Sequence, residues 1–480
     1  MSSQFSVKLN FTSFSNVIDG KCVDLVSGQT RRTLNPATLE ENPELPIASH
    51  DEVNRAVNAA QRAAKSWAAL PWETRRTKLN DFITAFEANS EGFAEMLVRE
   101  QGKTLNEARG ELHISVQFLR STAALELPQE EEIERTEQRQ VVKRYIPLGV
   151  AVGIVPWNYP VYLACQRLGQ ALITGNTFIL KPSPLAPYCN LKGTHFFPPG
   201  VLQALNGEDS LGPDLISRQE VNVVTFAGSI GTGKKIMESC SKTLKRVILE
   251  LGGNDPAIVC ADVDVAKTAS ILAYIAFTNA GQVCIVPKRI YVHDSIYDEF
   301  LAVMVAYADN LQLSTDDAVA IGPVSNQAQF ESVNNLLADI NTNMLAVAAG
   351  ATRNSEDSSL SGLYVQPTIV DNPPDASRVV VEEAFGPVVP VMRWADEDEV
   401  IERANKTEYG LGASVWSNDT TQAGRIARQL QAGLLWINTH AELDGKVPGG
   451  GIKYSGIGVE GGLDGLKGYC NMQTIWSKLA

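Results

Sequence analysis

Three residues of this chain have side chains suited to covalent chemistry on a carbonyl group. Cys284, in the segment Asn279-Ala-Gly-Gln-Val-Cys284, follows a glycine-containing break at the end of an apolar helix. Glu250 lies 34 residues earlier, at the predicted end of a buried strand, where an unpartnered carboxylate is costly. Asn158, in the segment PWNYP, ends another predicted strand, and its amide can donate to an oxyanion. A thiol nucleophile, a carboxylate base and an amide donor are the groups that acyl chemistry needs.

Taken one at a time, these residues have ordinary structural explanations. A lone cysteine is more often an inert buried thiol than a nucleophile, since a catalytic thiol needs a lowered pKa or a nearby base. No histidine lies near Cys284 in the sequence, which argues against a papain-like pair. A glutamate at the end of a strand is as often a partnered loop residue. Only together do Cys284 and Glu250 become a candidate nucleophile and base.

Two further segments are suited to a phosphate or a sugar. The run GSIGTGKK at 228–235 follows a predicted strand and opens a helix, as a P-loop does, but Lys235 stands where the Mg²⁺-binding hydroxyl belongs. An NTPase is therefore disfavoured. What remains is a turn whose backbone amides can face a phosphate, or a turn that only reverses the chain. Lys181, 23 residues after Asn158, ends the next strand and can hold a ribose hydroxyl or a phosphate.

The elements that must position these residues follow a βαβ pattern over 148–253. Apolar strands alternate with helices, which predicts a parallel sheet with ligands at the carboxyl ends of its strands. Residues 51–122 read as long amphipathic helices, the first behind an Asp51 cap and the second over 71–101. A second α/β region begins with a helix over 264–277.

Composition limits the classes of function. The chain has 41 Lys and Arg against 55 Asp and Glu, and this net charge of −14 argues against binding nucleic acid or an anionic membrane surface. Its longest apolar stretch, Ile146–Trp157, is too short to span a bilayer. Seven scattered cysteines and five isolated histidines predict no metal site and a reducing, cytoplasmic setting.

Several motifs in register resemble the aldehyde dehydrogenase superfamily over nearly the whole chain. They are, in chain order, PWNYP at 156–160, LKPS at 180–183, FAGS at 226–229, ELGGND at 250–255, GQVC at 281–284, EEAFGPV at 382–388 and GGIKYSGIGVE at 450–460. The resemblance implies two Rossmann-like, doubly wound α/β domains, one cofactor-binding and one catalytic, and a protruding β oligomerisation arm.

The resemblance also implies a mechanism. Cys284 attacks the aldehyde, while the Asn158 amide and the Cys284 backbone N–H hold the oxyanion. The thiohemiacetal passes hydride to NAD or NADP, and Glu250 activates the water that hydrolyses the resulting thioester to an acid. The residues implied to bind the cofactor are Trp157 and Lys181 at its adenosine half, with Ser183, then Gly228 and Ser229 at the pyrophosphate, and Glu383 and Phe385 at the nicotinamide ribose and ring.

The predicted substrate pocket departs from the family pattern. Gly449 stands where the family usually has an aromatic ring, which predicts a wider pocket. Leu163 and Gln166 follow PWNYP at positions that commonly line the substrate tunnel, the second often aromatic. The facing loop gains polarity from three residues, His440, Glu442 and Asp444. We expect a bulkier or more functionalised aldehyde than acetaldehyde, while the physiological aldehyde and its pathway stay open.

Two departures concern the cofactor. NAD-preferring relatives often carry a Glu three residues after the lysine, where this chain has Pro184. Without that carboxylate a 2′-phosphate meets no repulsion, so we expect NADP to be accepted as well as NAD. The segment 183–198 is also about seven residues shorter than the usual helix beside the adenine, by comparison with the family pattern. This shortening raises the alternative of a catalytically inactive scaffold.

The resemblance implies an organisation in three parts. The cofactor-binding domain is expected at 1–124 with 145–251 and 446–464, the catalytic domain at 252–445, and the oligomerisation arm at 125–144 with 465–480. A homodimer or homotetramer acting on a small-molecule aldehyde is expected. A CoA-acylating dehydrogenase is the enzymatic alternative, and Glu250 argues against it because such relatives generally lack this base.

Overall fold

Apolar strands form two large sheets in the computed structural model, which describes residues 8–23, 29–128, 130–193, 197–316, 320–350 and 361–479. The strands are β1 Asn16–Ile18, β2 Lys21–Val23, β3 Thr30–Arg31, β4 Leu45–Pro46, β5 Glu130–Arg135, β6 Arg139–Pro147, β7 Val150–Ile154, β8 Thr177–Lys181, β9 Leu202–Ala204, β10 Val221–Gly228, β11 Arg246–Leu251, β12 Asp255–Val259, β13 Pro287–His293, β14 Gln312–Leu313, β15 Ala320–Ile321, β16 Val347–Ala349, β17 Thr368–Asp371, β18 Val388–Trp394, β19 Gly412–Trp416, β20 Leu434–Ile437, β21 Gly456–Ile457 and β22 Cys470–Lys478.

Helices connect and cover these strands. They are α1 His50–Ala68, α2 Trp72–Glu87, α3 Ser90–Gln101, α4 Leu105–Ala124, α5 Pro160–Ile173, α6 Tyr188–Lys192, α7 Leu211–Ser217, α8 Ile230–Ser241, α9 Val265–Phe277, α10 Tyr297–Asn310, α11 Gln327–Thr342, α12 Arg378–Val381, α13 Glu397–Asn405, α14 Thr420–Ala427 and α15 Gly462–Gly468. Within the described ranges, no helix is both long and apolar enough to cross a membrane.

The first sheet has eight strands in the order β2-β1-β9-β8-β7-β10-β11-β21, and the five from β9 to β11 are parallel. Successive strands are added to one side of β7 as β8 and β9, and to its other side as β10 and β11, so the strand order reverses between β7 and β10. A crevice opens at such a switch point, outside the carboxyl ends of the strands. Asn158, Lys181, Ser229 and Glu250 all lie at this edge, at or just after the ends of β7, β8, β10 and β11.

The second sheet has seven strands in the order β16-β17-β18-β13-β12-β19-β20, of which the six from β17 to β20 are parallel. Both sheets are buried on two faces, because alternate residues of one strand enter different cores. In β13, Ile290 and Val292 pack into one apolar cluster and Tyr291 into another. This confirms the doubly wound α/β class. The domain boundaries stay a prediction.

Two expectations about the helical region are wrong. The cap of α1 is Ser49 rather than Asp51: Ser49 Oγ accepts from the Glu52 backbone N–H, and Glu52 accepts from the Ser49 N–H at 2.7 Å. This reciprocal pair satisfies two exposed donors, so the helix starts earlier. The single helix expected over 71–101 is two helices, because Asn89 leaves helical geometry and its side chain accepts from Leu9 N at 2.8 Å.

The two segments expected to form the β arm, 125–144 and 465–480, contribute the strands of a separate three-stranded antiparallel sheet, β22-β6-β5. β22 is one edge of it, and large apolar side chains of that strand are exposed, among them Met472 at 61% and Trp476 at 65%. An exposed apolar edge strand is a template for pairing with another chain.

The helix in the segment 183–198 is short: α6 has five residues. Residues 194–196 of this segment lie outside the described part of the chain. Glu100 accepts from the backbone N–H groups of Tyr188 at 2.7 Å and Cys189 at 3.1 Å, which satisfies the start of this helix. β8 and β9 still pair in parallel register. The short connection therefore does not interrupt the pairing of β8 with β9 beside Lys181.

A buried ion pair fixes the loop that carries Asn158. Lys103 Nζ donates to Glu111 Oε2 at 2.5 Å and to the Asn158 carbonyl at 3.1 Å, and both charged side chains are fully buried. Glu111 Oε1 accepts from the N–H groups of Val161 and Tyr162 in the first turn of α5. One carboxylate thus compensates a buried cation and satisfies a helix N-terminus.

Replacing Lys103 by Met leaves Glu111 buried without its counter-charge. We expect Lys103→Met to lower the free energy of unfolding by about 3–5 kcal/mol. The matched control is Lys78→Met, which breaks a partly exposed 3.5 Å pair with Asp81 and is expected to cost less than about 1 kcal/mol. Denaturant and thermal unfolding followed by circular dichroism measure both. Equal losses in the two variants would contradict the role given to Lys103.

Candidate active site

Cys284 lies beside a left-handed turn that two charged side chains hold in place. Asn279, Ala280 and Gly281 have φ values of 52°, 53° and 68°, a conformation that costs free energy for residues other than glycine. A Cβ on Gly281 would lie 2.1 Å from the Gly386 carbonyl oxygen, so this position requires glycine. Glu107 accepts from the Asn279 N–H at 2.6 Å, and Lys288 donates to the Gly281 carbonyl at 2.7 Å.

The thiol and the carboxylate predicted from sequence meet in the structure. Cys284 Sγ lies 2.9 Å from Glu250 Oε1, so the thiol donates to the carboxylate. Burial, the charge of Glu250 and this hydrogen bond together raise the pKa of the Cys284 thiol well above its ordinary value. At rest, Cys284 is therefore a neutral thiol beside a base. When the thiol becomes a thiolate, Glu250 is the group that accepts its proton.

A buried guanidinium holds the second oxygen of Glu250. Arg167, fully buried on α5, lies 3.5 Å from Glu250 Oε2 and 3.3 Å from Glu460 Oε1. Glu460 also accepts from Thr225 Oγ1 at 3.2 Å. Because one cation joins both carboxylates, the Glu250 side chain is held with its other oxygen toward Cys284.

Asn158 is positioned for donation. Its Nδ2 donates one hydrogen to the carbonyl of Gln282, two residues before Cys284, at 2.9 Å. An amide nitrogen has two hydrogens, so the second remains for another acceptor. Asn158, Glu250 and Cys284 all line one cavity of about 1220 Å³. The structure thus brings the three residues that are predicted to carry the chemistry into the lining of one cavity.

Three of the predicted cofactor residues, Glu383, Phe385 and Trp157, form a second cluster near Cys284. Glu383 accepts from the Gly253 N–H at 3.2 Å, and burial raises the pKa of Glu383 to about 7. The rings of Phe385 and Trp157 meet edge to face with centroids 5.4 Å apart. Lys288 joins this cluster to the cysteine turn by donating to the Gly386 carbonyl at 2.9 Å.

The remaining predicted cofactor residues lie at the carboxyl ends of β8 and β10. Lys181 is buried, its Nζ donates to the Pro182 carbonyl at 3.3 Å, and burial lowers the pKa of Lys181 to about 8. A buried ammonium has capacity for further acceptors, such as ribose hydroxyls. Ser183 Oγ accepts from the Leu185 N–H in the turn that follows.

The glycine-rich run forms the strand-to-helix turn that the sequence predicts. Ser229 caps α8 by accepting from the Thr232 N–H at 3.3 Å. At Gly228 a Cβ would lie 2.5 Å from the Phe226 ring, which explains the glycine. Because the first N–H groups of a helix lack intrahelical partners, this turn is a suitable place for a pyrophosphate.

The three predicted pocket residues, Leu163, Gln166 and Gly449, line the cavity. Of the polar loop, His440 is buried and donates from Nε2 to the Ile285 carbonyl at 2.8 Å, while its Nδ1 accepts from Ser414. We assign this tautomer from the chain of hydrogen bonds, since Trp416 Nε1 donates to Ser414. Burial lowers the pKa of His440 to about 4, so it is a neutral wall residue.

The sequence analysis missed the residues that orient the chemical groups: Lys103, Glu107, Glu111, Arg167, Gln282, Lys288 and Glu460. One of them left a signal. Arg167 is the only charged residue of α5, whose other residues are nearly all buried and apolar. A lone cation in such a helix needs a buried carboxylate, although the sequence does not say which one.

Comparisons with known proteins identify the family of this chain. The profile of the aldehyde dehydrogenase family matches residues 24–475. Aldehyde dehydrogenase LUC3 of a Fusarium species is 36% identical over 472 residues, which cover 98% of this chain and 99% of that protein.

Solved structures give the same result. Betaine aldehyde dehydrogenase from Staphylococcus aureus in complex with NAD⁺ superposes with a TM-score of 0.93 at 31% identity, covering 98% of this chain and 95% of that one. An NADP-dependent enzyme of E. coli superposes with a TM-score of 0.92 at 31% identity, covering 98% and 99%. The chain belongs to the aldehyde dehydrogenase family and is an NAD(P)-dependent aldehyde dehydrogenase.

Proposed function

We propose that this enzyme oxidises its aldehyde to the acid through a thiohemiacetal and a thioester on Cys284. The observation that carries the proposal is the 2.9 Å contact of Cys284 Sγ with Glu250 Oε1 in the cavity wall. Glu250 takes the thiol proton while the sulfur forms its bond to the aldehyde carbon. The carbonyl oxygen becomes an oxyanion at that moment.

Asn158 and the backbone N–H of Cys284 hold this oxyanion. The Asn158 amide is already fixed by its hydrogen bond to the Gln282 carbonyl and by the Lys103 contact with its own carbonyl. A preorganised donor of this kind is typically worth about 3 kcal/mol in the transition state. Hydride departure from the tetrahedral carbon then leaves a thioester.

Glu250 acts a second time in hydrolysis. Once its first proton has passed to solvent, it takes a proton from water, and the resulting hydroxide adds to the thioester carbon. The carbon–sulfur bond breaks, which releases the acid and returns the thiolate. Arg167 keeps Glu250 aimed at the sulfur by pairing with its other oxygen at 3.5 Å. Glu250 thus favours water over CoA as the acceptor of the acyl group.

The cofactor residues fit a nicotinamide dinucleotide. When bound, NAD or NADP supplies the hydride acceptor. Lys181 has a buried ammonium with capacity for ribose hydroxyls, and Ser229 presents the N-terminus of α8 to the pyrophosphate. We assign Glu383 and Phe385, near the cysteine turn, to the nicotinamide ribose and ring.

The proposed substrate is a bulky or functionalised aldehyde. A cavity of about 1220 Å³ exceeds what acetaldehyde fills, and Gly449 contributes no side chain to its wall. An assay panel tests this point: acetaldehyde outperforming every aromatic or branched aldehyde would contradict it.

The arm supports a proposed homodimer or homotetramer. β22 and β20 are both sheet edges, and both expose apolar side chains, among them Trp476 on β22 and Ile437 on β20. Pairing such edges between subunits would cover them. Cytoplasmic placement fits the buried thiols of Cys165, Cys189, Cys240, Cys260 and Cys470, which form no disulfides.

Cys284→Ala removes the nucleophile and is expected to abolish aldehyde-dependent reduction of the cofactor. Purified enzyme, an aldehyde panel and NAD or NADP in parallel give the readout as absorbance of the reduced nicotinamide. The control is Cys240→Ala, which removes a buried thiol on α8 that does not line the cavity. Activity retained in Cys284→Ala would contradict the mechanism, and silence of the wild type across the panel would favour an inactive scaffold.

Glu250→Gln separates the two roles of the carboxylate. We expect the steady-state rate to fall by about 10²–10⁴-fold, the usual contribution of a positioned general base. Loss of the negative charge lowers the pKa of the Cys284 thiol, so the rise of its alkylation rate with pH moves to lower pH. Iodoacetamide labelling followed by mass spectrometry measures the shift. A profile that stays in place would mean that Glu250 does not act on the thiol.

Pro184→Glu tests the acceptance of NADP. A carboxylate at this position repels a 2′-phosphate, so we expect kcat/KM for NADP to fall by about tenfold or more while that for NAD is kept. Pro184→Gln, of equal size without charge, is the control. Equal losses for the two cofactors in Pro184→Glu would show that residue 184 does not face the 2′ position.

A further inference from the structure

The charged side chains that line the cavity at Cys284 are all acidic. Among the described residues that line it, none is a lysine or an arginine, and its histidine, His440, is neutral because burial lowers its pKa to about 4. Six lining residues are acidic: Glu107, Glu111, Glu250, Glu442, Asp444 and Glu460.

Cations behind the wall neutralise only part of this charge. Lys103 pairs with Glu111, and Arg167 is shared between Glu250 and Glu460. Both cationic side chains are fully buried and engaged, so neither is available to a substrate.

Three carboxylates of the lining rely on neutral hydrogen-bond donors instead. Glu107 accepts from the Asn279 N–H, and Glu442 accepts from Thr439 Oγ1 at 2.6 Å. Asp444 accepts from the Lys446 N–H at 2.9 Å, and this bond with that of Ser121 holds the pKa of Asp444 below its usual value. The carboxylate of Asp444 is therefore ionised at neutral pH, with the exposed Lys446 beside it outside the lining.

Much of the remaining lining is apolar out to the surface, with neutral polar side chains such as that of Gln166 among it. Leu163 and Phe118 are buried in the interior of the wall. Leu443 and Val447 line the cavity and are exposed at 44% and 57%, so the mouth has an apolar rim. An apolar substituent gains from contact with this rim, whereas an anion gains nothing.

We propose that this site selects neutral aldehydes with an apolar tail and rejects aldehydes that carry a second, anionic group such as a carboxylate. The inference rests on the proposed function, because it concerns the same cavity. An anionic group entering the cavity would lose hydration without meeting a cation, and it would approach Glu442 and Asp444. The same repulsion favours departure of the acid product, which is itself an anion.

A matched pair of substrates tests the proposal. 6-Oxohexanoate and its methyl ester have the same reactive end and differ at the far end in charge. We expect kcat/KM for the ester to exceed that for the anion by about tenfold or more, which corresponds to about 1.4 kcal/mol. Equal values, or a preference for the anion, would overturn the proposal while leaving the proposed function standing. Failure to oxidise the ester, while another aldehyde of the panel is oxidised, would overturn this proposal alone. Failure to oxidise any aldehyde would overturn the proposed function as well.

A charge introduced at the rim supplies the second arm. Leu443→Arg adds a cation to the lining, and Leu443→Gln is the uncharged control. Leu443 is exposed, so neither change disturbs a packed core. We expect Leu443→Arg to raise the anion-to-ester ratio of kcat/KM by about tenfold and Leu443→Gln to leave it unchanged. High ionic strength should reduce the effect of the arginine. An unchanged ratio in Leu443→Arg would count against the proposal.

Discussion

The hydrogen bond from the Cys284 thiol to the Glu250 carboxylate joins the two large sheets of the molecule at the candidate active site. Glu250 belongs to β11 of the first sheet, while Cys284 follows a turn that leads into β13 of the second. Neither group is suited to its role alone, since the thiol has a raised pKa and the carboxylate needs a counter-charge. The relative placement of two sheets is therefore the constraint on which the site depends.

Buried charge is the means by which the fold keeps that placement. Lys103 with Glu111 fixes the loop of Asn158, Arg167 fixes Glu250, and Lys288 links the cysteine turn to the loop of Phe385 through two carbonyl oxygens. Each of these charges would be costly if left unpaired, so each holds its partners in one arrangement. The same groups that orient the site also contribute to the stability of its loops.

The division of polarity within the cavity follows from this use of charge. Within the described part of the chain, no lysine or arginine lines the cavity at Cys284, and Lys103 and Arg167 are paired behind it, so the charged side chains of the lining are acidic. The pairing of these buried charges therefore also sets the electrostatic character of the binding site. A protein that used a lysine or an arginine in the lining instead would present a different surface to a second charged group on the substrate.

The sequence by itself determined the α/β class and the main strands and helices, and it named Cys284, Glu250 and Asn158 as candidate residues, because strand periodicity and motif spacing are local properties. The cap of α1 was misplaced although the capping box of Ser49 and Glu52 is itself a local pattern, whereas the break at Asn89 accompanies a hydrogen bond from Leu9, 80 residues away, which local patterns do not show. Only the tertiary structure decided which buried ions pair. Arg167 lies 83 residues before Glu250. Lys103 and Glu111 are only 8 residues apart, but Lys103 also meets the Asn158 carbonyl, 55 residues further on. Partners over these longer separations follow from packing in three dimensions.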